Sequence, residues 1–335
     1  MCDIFADYPP ITVKKPCCGA SSGRPDLARR LVYLDRDEAI PYGGPMTNTA
    51  TPAMVSGLAE LAPTYRALLC DIWGVIHDGA AAHSRASEAL VRYRREGGKV
   101  VLITNAPRPK ADVMEQLNRL GVPRAAYDDI VTSGESARHV LAARPGIRIH
   151  HVGPERDLPI YFGLQLEFGD EDDCEMISCT GLFDDESETP DDYLDSMTDW
   201  QERGVPMLCV NPDIVVERGD RLVWCAGALA ERYREMNGQT IVVGKPYAPI
   251  YDTALARIQE LVGKPITKSS VLAIGDGIDT DVRGALGQGI DVLFATGGIH
   301  AAVFGPKDNP DLTKVHAFLA TAGLGACALV TQLSW

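Results

Sequence analysis

Cations are scarce. The 335-residue chain carries 32 Lys and Arg against 46 Asp and Glu, a formal net charge of −14. Nucleic-acid phosphates call for clustered cations, so a general nucleic-acid binder is disfavoured. Long apolar runs are also missing. No uncharged apolar stretch reaches the ~18 residues that a membrane-spanning helix needs. The opening MCDIFADYPP lacks the charged-then-apolar order of a secretory leader. No CxxC pair, HExxH motif or Cys/His cluster supports zinc. No GxGxxG follows a strand-like run, which removes a dinucleotide site, and no GxSxG follows one to form a serine-hydrolase elbow. The segment GQTIVVGKP is no P-loop, because its spacing is wrong and Pro246 stands where Ser or Thr is required. Several of the nine Cys, including Cys70, Cys179 and Cys209, sit in apolar runs as reduced buried thiols do. These features together imply a cytoplasmic globular protein without a membrane or nucleic-acid partner.

What is present is an alternation. From Ala67 onward, apolar runs rich in Val, Ile and Leu (ALLCD, VVLITN, DIVTS, TIVVGK, SVLAIGD, DVLFAT) are spaced by helix-like amphipathic stretches. Continuous apolar strands separated by helices imply βαβ units and a buried parallel sheet, an α/β Rossmann-like core. The middle of the chain differs. Between Arg156 and Arg203 there is no basic residue, while acids crowd into GDEDDCE, DDESE and DDYLD. This segment still holds strand-like runs (EMISCTG, PMLCVNPD), so a smaller α/β unit over 147–235 is expected, inserted into a core of 52–146 and 236–335. Its acidic stretch, 167–195, reads as a solvated surface that discourages polyanions. Residues 1–51, rich in Pro, Gly and Thr, read as a mobile extension, with Cys17 and Cys18 in it and Met46 a candidate start of the folded part. A short amphipathic helix is expected over Pro52–Leu61.

Four strand-like runs end in reactive groups. The first ends at Asp71, the second at Thr104 and Asn105, another at Lys245 and Pro246, and another at Asp276, followed by Asp279 and Asp281. In an open parallel sheet the crevice lies at the carboxyl ends of the strands, so these groups would converge. Carboxylates held together repel one another unless a cation joins them. Magnesium prefers oxygen ligands, which lets Asp71 and Asp276 share it with a substrate phosphate. A carboxylate can also attack phosphorus. Lys245 would supply a point charge and Thr104 a hydrogen bond to the transferred group. Singly, each residue has a plainer reading, Asp71 as a strand-end turn and Asp276 or Thr104 as a helix cap. Lys264 sits in a second GKP, but only Lys245 follows a β-branched run.

DIWGV at Asp71, Thr104-Asn105, GKP at Lys245 and GDGIDTD at Asp276, in that order, resemble the four motifs of the haloacid dehalogenase superfamily. The resemblance runs from about Pro52 to the C-terminus. It is narrowest to the capped subclass IIA, sugar- and nucleotide-phosphatase-like, with a large α/β cap inserted between the second and third motifs. The NPD segment (Asn211-Pro212-Asp213) and GALAERY also look like that subclass. The resemblance implies a phosphatase working through an aspartyl phosphate at Asp71. Magnesium would be held by Asp71, the backbone carbonyl of Trp73 and Asp276, with Asp281 a ligand through water or an outer partner. Substrate contacts would come from Thr104, Asn105, Lys245, Asn211 and Asp213. Sugar phosphates and nucleotide monophosphates are the implied substrates, and a homodimer through the cap the implied assembly.

One position departs from the pattern. Superfamily phosphatases carry a second Asp two residues after the nucleophile, as general acid and base; here it is Trp73. That help is worth ~10²–10⁴-fold. DIWGVIHDG is similar to a bacterial branch that shares the Trp. His77 or Asp78 could take over, or the substrate could need no proton donor. The rival readings are a phosphate-ligand binder with little turnover, and a hydrolase of the same superfamily acting on something other than a phosphate ester.

Overall fold

The computed structural model describes residues 51–219 and 221–335. The 1–51 extension, with Cys17, Cys18 and Met46, lies outside them but for Thr51. Six parallel strands form the larger sheet, in the order Ala328–Val330, Asp291–Ala295, Val271–Gly275, Ala67–Asp71, Lys99–Thr104, Asp129–Thr132. From Ala67–Asp71 the chain winds outward to one edge. It then returns to Val271–Gly275, on the other side of the first strand, and winds to the opposite edge. The reversal falls between these two central strands, where an open α/β sheet has its ligand crevice.

Alternation within each strand builds both faces of the sheet. Leu68 and Cys70 point to one side, with Leu90, Tyr93 and Leu117 from the helices Ser84–Arg95 and Lys110–Arg119. Ala67 and Leu69 point to the other, with Ile250, Tyr251, Ala254 and Ile258 from the helix Ala248–Val262 and Val315 and Leu319 from Leu312–Thr321. Both faces are covered, so every residue of Ala67–Asp71 is buried and the strand reads as an uninterrupted apolar run. Pro52–Leu61 is not the expected amphipathic helix. Met54 pairs with Leu329 as an isolated bridge and short 3₁₀ turns follow at Leu58–Glu60 and Ala62–Thr64. Edge pairing satisfies this backbone more completely than an isolated turn of helix would.

A second parallel sheet is inserted between the third and fourth strands of the first. Its order is Thr240–Val242, Met207–Cys209, Met176–Cys179, Arg148–Val152, Glu167–Phe168. Met197, Trp200, Leu229 and Tyr233 of the helices Leu194–Arg203 and Ala226–Glu235 cover one face. The other face packs on Ile160, Tyr161 and the helix Ser133–Ala142, through Ala137 and Leu141. The division at residues 147 and 235 is therefore crossed on both sides. Helix Ser133–Ala142 covers the second sheet, and TIV at 240–242, expected in the core, is its edge strand. A β-branched run announces a strand but not which sheet it joins.

The antiparallel hairpin Val215–Arg218/Arg221–Trp224 leaves this second unit toward the first. The acidic stretch is not simply solvated, because it anchors that hairpin. Asp185 pairs with Arg156 and, at 2.8 Å, with Arg218, while Glu186 pairs with Arg218 and Arg221. No described helix is long and apolar enough to cross a membrane. Cys70, Cys179 and Cys209 are buried free thiols, as expected.

Candidate active site

Asp71 is the last residue of its strand, and Asp276 directly follows Val271–Gly275 beside it. Adjacent parallel strands lie about 4.8 Å apart, so side chains leaving their ends must meet. Asp71, Asp276 and Asp281 bring carboxylate oxygens within 4.8 Å of one another, all three buried. Asp281 arrives from the single π-helical turn Ile278–Val282 that opens the next helix. Its Oδ2 accepts the Gly277 N–H at 3.1 Å, closing the turn. Asp276 Oδ2 accepts the Ile299 N–H at 2.7 Å.

Glycine makes room for these acids. A Cβ on Gly298 would stand 2.0 Å from Asp276 Oδ2, and one on Gly74, whose φ of +83° already favours glycine, 2.1 Å.

Lys245 completes the cluster from the second sheet's side, three residues past Val242. Its Nζ lies 2.5 Å from Asp71 Oδ1 and 2.8 Å from Asp281 Oδ1, and the residue is 2% exposed. Asn105 sets its position. The Asn105 carboxamide oxygen accepts the Lys245 N–H at 2.7 Å, and its Nδ2 donates to Asp213 Oδ1 at 2.9 Å. Ser133 Oγ in turn donates to the Asn105 carbonyl at 2.7 Å. The loop after Lys99–Thr104 thus holds both Lys245 and the NPD segment.

Burial dominates the electrostatics. It pushes Asp71 well above the ordinary carboxylate range, Asp281 and Asp276 adding to the rise and Lys245 opposing it. Burial, with Asp281, pushes Asp276 up to about 7. Burial also raises Asp213, against the pull of Lys245 and the Asn105 hydrogen bond. It works against the charge of Lys245, yet Asp281, Asp71 and Asp213 hold that ammonium well above its usual value. One buried ammonium cannot neutralise three clustered carboxylates, and uncompensated buried charge is costly. The set is all oxygen and carries surplus negative charge, so it fits a hard divalent cation.

The cluster opens into a cavity of about 930 Å³ between the two sheets. Thr104, Asn105 and Asp213 line it, as expected. Thr104 Oγ1 accepts the Ala106 N–H at 3.2 Å, which leaves its proton free to point outward. Asp279 reaches the rim, where Arg283 Nη2 pairs with it at 2.6 Å. Asn211 does not line the cavity; its side-chain oxygen accepts the Asp213 N–H at 3.1 Å and braces that turn.

Trp73 forms a wall, its indole N–H donating to the Glu217 carbonyl of the hairpin at 2.5 Å. The ring also meets His77 edge-on, centroids 4.9 Å apart. His77 is 1% exposed and does not line the cavity; burial and the charge of His83 press it down to about 4. Asp78 does line the cavity, with Oδ1 accepting the Ala80 and Ala81 N–H groups.

Other lining residues carried no motif: Glu217, His83, His300, Tyr247 and Arg234. They come from the hairpin, loops and a helix, whose approach depends on tertiary packing. Gly297-Gly298, just after DVLFAT, was the one available cue, since paired glycines often mark a close backbone approach.

An open parallel sheet with an acid cluster at its switch point, roofed by a second α/β sheet, defines a capped hydrolase architecture. Residues 68–164 match the family described as haloacid dehalogenase-like hydrolase, and residues 242–319 a second described as HAD-hydrolase-like. A hydrolase of the haloacid dehalogenase-like family from Brucella suis 1330 shares 43% identity and a TM-score of 0.75, over 84% of this chain and 99% of that one. The D-glycerol 3-phosphate phosphatase of Mycobacterium tuberculosis is 27% identical over 264 residues, 73% of this chain and 67% of that protein. The acid sugar phosphatase of Staphylococcus saprophyticus is 23% identical over 70% of this chain and 88% of its own length. The chain belongs to the haloacid dehalogenase-like hydrolase family.

Proposed function

We propose that this protein is a magnesium-dependent phosphatase that cleaves the monoester of a small phosphorylated metabolite, a sugar phosphate or a nucleotide monophosphate. The observation that carries this reading is the buried cluster in which Asp71 meets Lys245 at 2.5 Å and shares a 4.8 Å space with Asp276 and Asp281. The names of the two curated relatives support the substrate class.

Asp71, Asp276, Asp281 and the Trp73 carbonyl would hold the ion, which when bound neutralises charge on the phosphoryl oxygens. Asp71 attacks phosphorus. The P–O bond to the substrate breaks, the leaving oxygen departs with the bond's electron pair and takes a proton from water, and an aspartyl phosphate remains. Water then attacks that phosphorus, releasing inorganic phosphate and regenerating the carboxylate. Lys245 opposes the burial that disfavours ionised Asp71 and faces the transferred group, while Thr104 donates its hydroxyl proton to a phosphoryl oxygen. Trp73 cannot donate to the leaving alcohol, because its one N–H is held by the Glu217 carbonyl. Asp78, His83 and Glu217 are titratable groups on that side of the cavity. Esters with good leaving groups therefore turn over fastest.

The test is hydrolysis of an aryl phosphate with magnesium. Wild type should cleave it, and Asp71→Asn should lose at least ~10³-fold in kcat/KM. Tight binding of phosphate esters with no turnover would replace this reading with that of a binding protein.

A further inference from the structure

The active-site cavity is larger than a phosphoryl group needs, and its far part is not featureless. Helix Ala226–Glu235 contributes Gly227, Ala230, Glu231 and Arg234 to the lining. Spacings of three, one and three residues put them on one stripe of the helix, along the length of the cavity.

The near end of that stripe is pinned beside the catalytic groups. The Gly227 N–H donates to the Asp213 carbonyl at 3.1 Å, and a Cβ there would stand 2.3 Å from the Pro212 carbonyl oxygen. Asp213 is itself bonded to Asn105, which positions Lys245. Seven residues further on, at ~1.5 Å of rise each, the Arg234 backbone lies about 10 Å along the helix from Gly227.

Arg234 differs from the other Lys and Arg side chains lining this space. Lys245 is held by Asp71 and Asp281, Arg283 by Asp279, and Lys307 by Glu217. The Arg234 guanidinium donates only to Thr240 Oγ1, at 3.3 and 3.4 Å, and among the described residues no carboxylate comes within ion-pair distance of it. Its neighbour Arg232, which faces away, is paired with both Asp191 and Glu235. A planar guanidinium with spare donors matches a carboxylate bidentately. Glu231, one turn earlier on the same stripe, adds negative charge nearby. That balance tolerates a singly charged group and disfavours a second phosphate dianion.

We infer that Arg234 determines specificity, and that the preferred substrate is a phosphate monoester carrying a carboxylate at its far end. This rests on the phosphatase reading above.

The probes are 4-carboxyphenyl phosphate and its neutral analogue, 4-carbamoylphenyl phosphate. Their kcat/KM values are compared at low ionic strength in wild type, Arg234→Ala and Arg234→Lys, with thermal unfolding to check that each variant folds. The same two esters are titrated calorimetrically into Asp71→Asn and Asp71→Asn/Arg234→Ala, which reads recognition without turnover. The expected result is a preference of about ten-fold for the carboxylate in wild type, carried mainly by KM and matched in Kd. It falls toward unity in Arg234→Ala and is partly kept in Arg234→Lys. Equal handling of the two esters by wild type, or a preference that survives Arg234→Ala, overturns the inference. Failure of wild type to cleave either ester overturns the phosphatase reading instead, and the calorimetric ratio then decides the role of Arg234 by itself.

Discussion

At Trp73 a side chain that cannot exchange protons stands where relatives of this architecture are expected to keep their general acid. It is built in rather than merely tolerated. The indole holds the Glu217 carbonyl of the hairpin, and Gly79, at φ +85°, comes so close that a Cβ would meet the ring at 2.5 Å. Trp73→Asp should raise kcat/KM for alkyl phosphates relative to aryl phosphates by ~10²-fold or more, if leaving-group protonation limits the rate. The same change removes a half-buried ring and a hydrogen bond, so unfolding should cost about 1–3 kcal/mol less. Parallel kinetics and denaturant titration separate the two effects, and an unchanged alkyl-to-aryl ratio would mean that protonation is not limiting. A second residue-scale prediction concerns Gly298, whose added methyl would collide with Asp276 Oδ2 at 2.0 Å. Gly298→Ala should push Asp276 off the Ile299 N–H and raise the magnesium concentration needed for half-maximal activity at least ten-fold, read from a metal titration.

Among the elements, the hairpin over the cavity is held in place largely by charge. Arg218 and Arg221 tie it to Asp185 and Glu186, while Trp73, the Asp78 carbonyl (from the Gly219 N–H, 3.3 Å) and Lys307 tie it to the core. Burial opposes ionisation of Asp185, but Arg218 and Arg156 hold its carboxyl below the usual range. A lowered acid supports the folded arrangement above its unfolded value and loses that support as pH falls through the folded one. The tie should therefore hold at neutral pH and fail only in acid. Asp185→Asn should raise KM about three- to ten-fold at neutral pH with little change in kcat, and added salt should raise the wild-type KM in the same direction. None of this was legible in the acidic run itself, which reads as solvated surface because its arginine partners lie some thirty positions away. The strand ends were legible, since Asp71, Thr104 and Asp276 close apolar runs that only a buried parallel sheet explains. Lys245 reached its expected place although its strand belongs to the other sheet. The GKP loop decides where the ammonium goes, and the preceding TIV strand can pair on either side. Arg234 left no sequence signal, because an Arg on an amphipathic helix is ordinary until the cavity beside it is seen.

For the molecule as a whole, the proposed ion would be linked to stability through the same three carboxylates. The parallel sheet and its inserted unit were readable, but the strand order was not; the chain winds out from its first strand, detours and winds out again, reversing at the centre where the acids gather. That concentration of charge has a cost in the metal-free protein. Asp71 is held well above the carboxylate range and Asp276 at about 7, against ~3.9 in an unfolded chain. For an acid, a raised folded-state value means that the native protein binds more protons than the unfolded one across the window between the two. Stability is then fullest below about pH 4 for these groups and declines as pH rises toward 7. A divalent cation bound there would reverse that decline by taking the place of the protons. Magnesium should barely raise the melting temperature at pH 5. At pH 7.5 and 100 times its Kd it should contribute about 2.7 kcal/mol, roughly 4–5 °C for a chain of this size. Asp276→Asn provides the decisive comparison. It removes one of the competing charges, so the variant should melt higher than wild type without metal at pH 7.5, show almost no response to magnesium, and lose phosphatase activity. A variant that is less stable than wild type in the absence of metal would show that Asp276 is held by its Ile299 hydrogen bond rather than strained by its neighbours, and that this cluster does not need an ion to balance it.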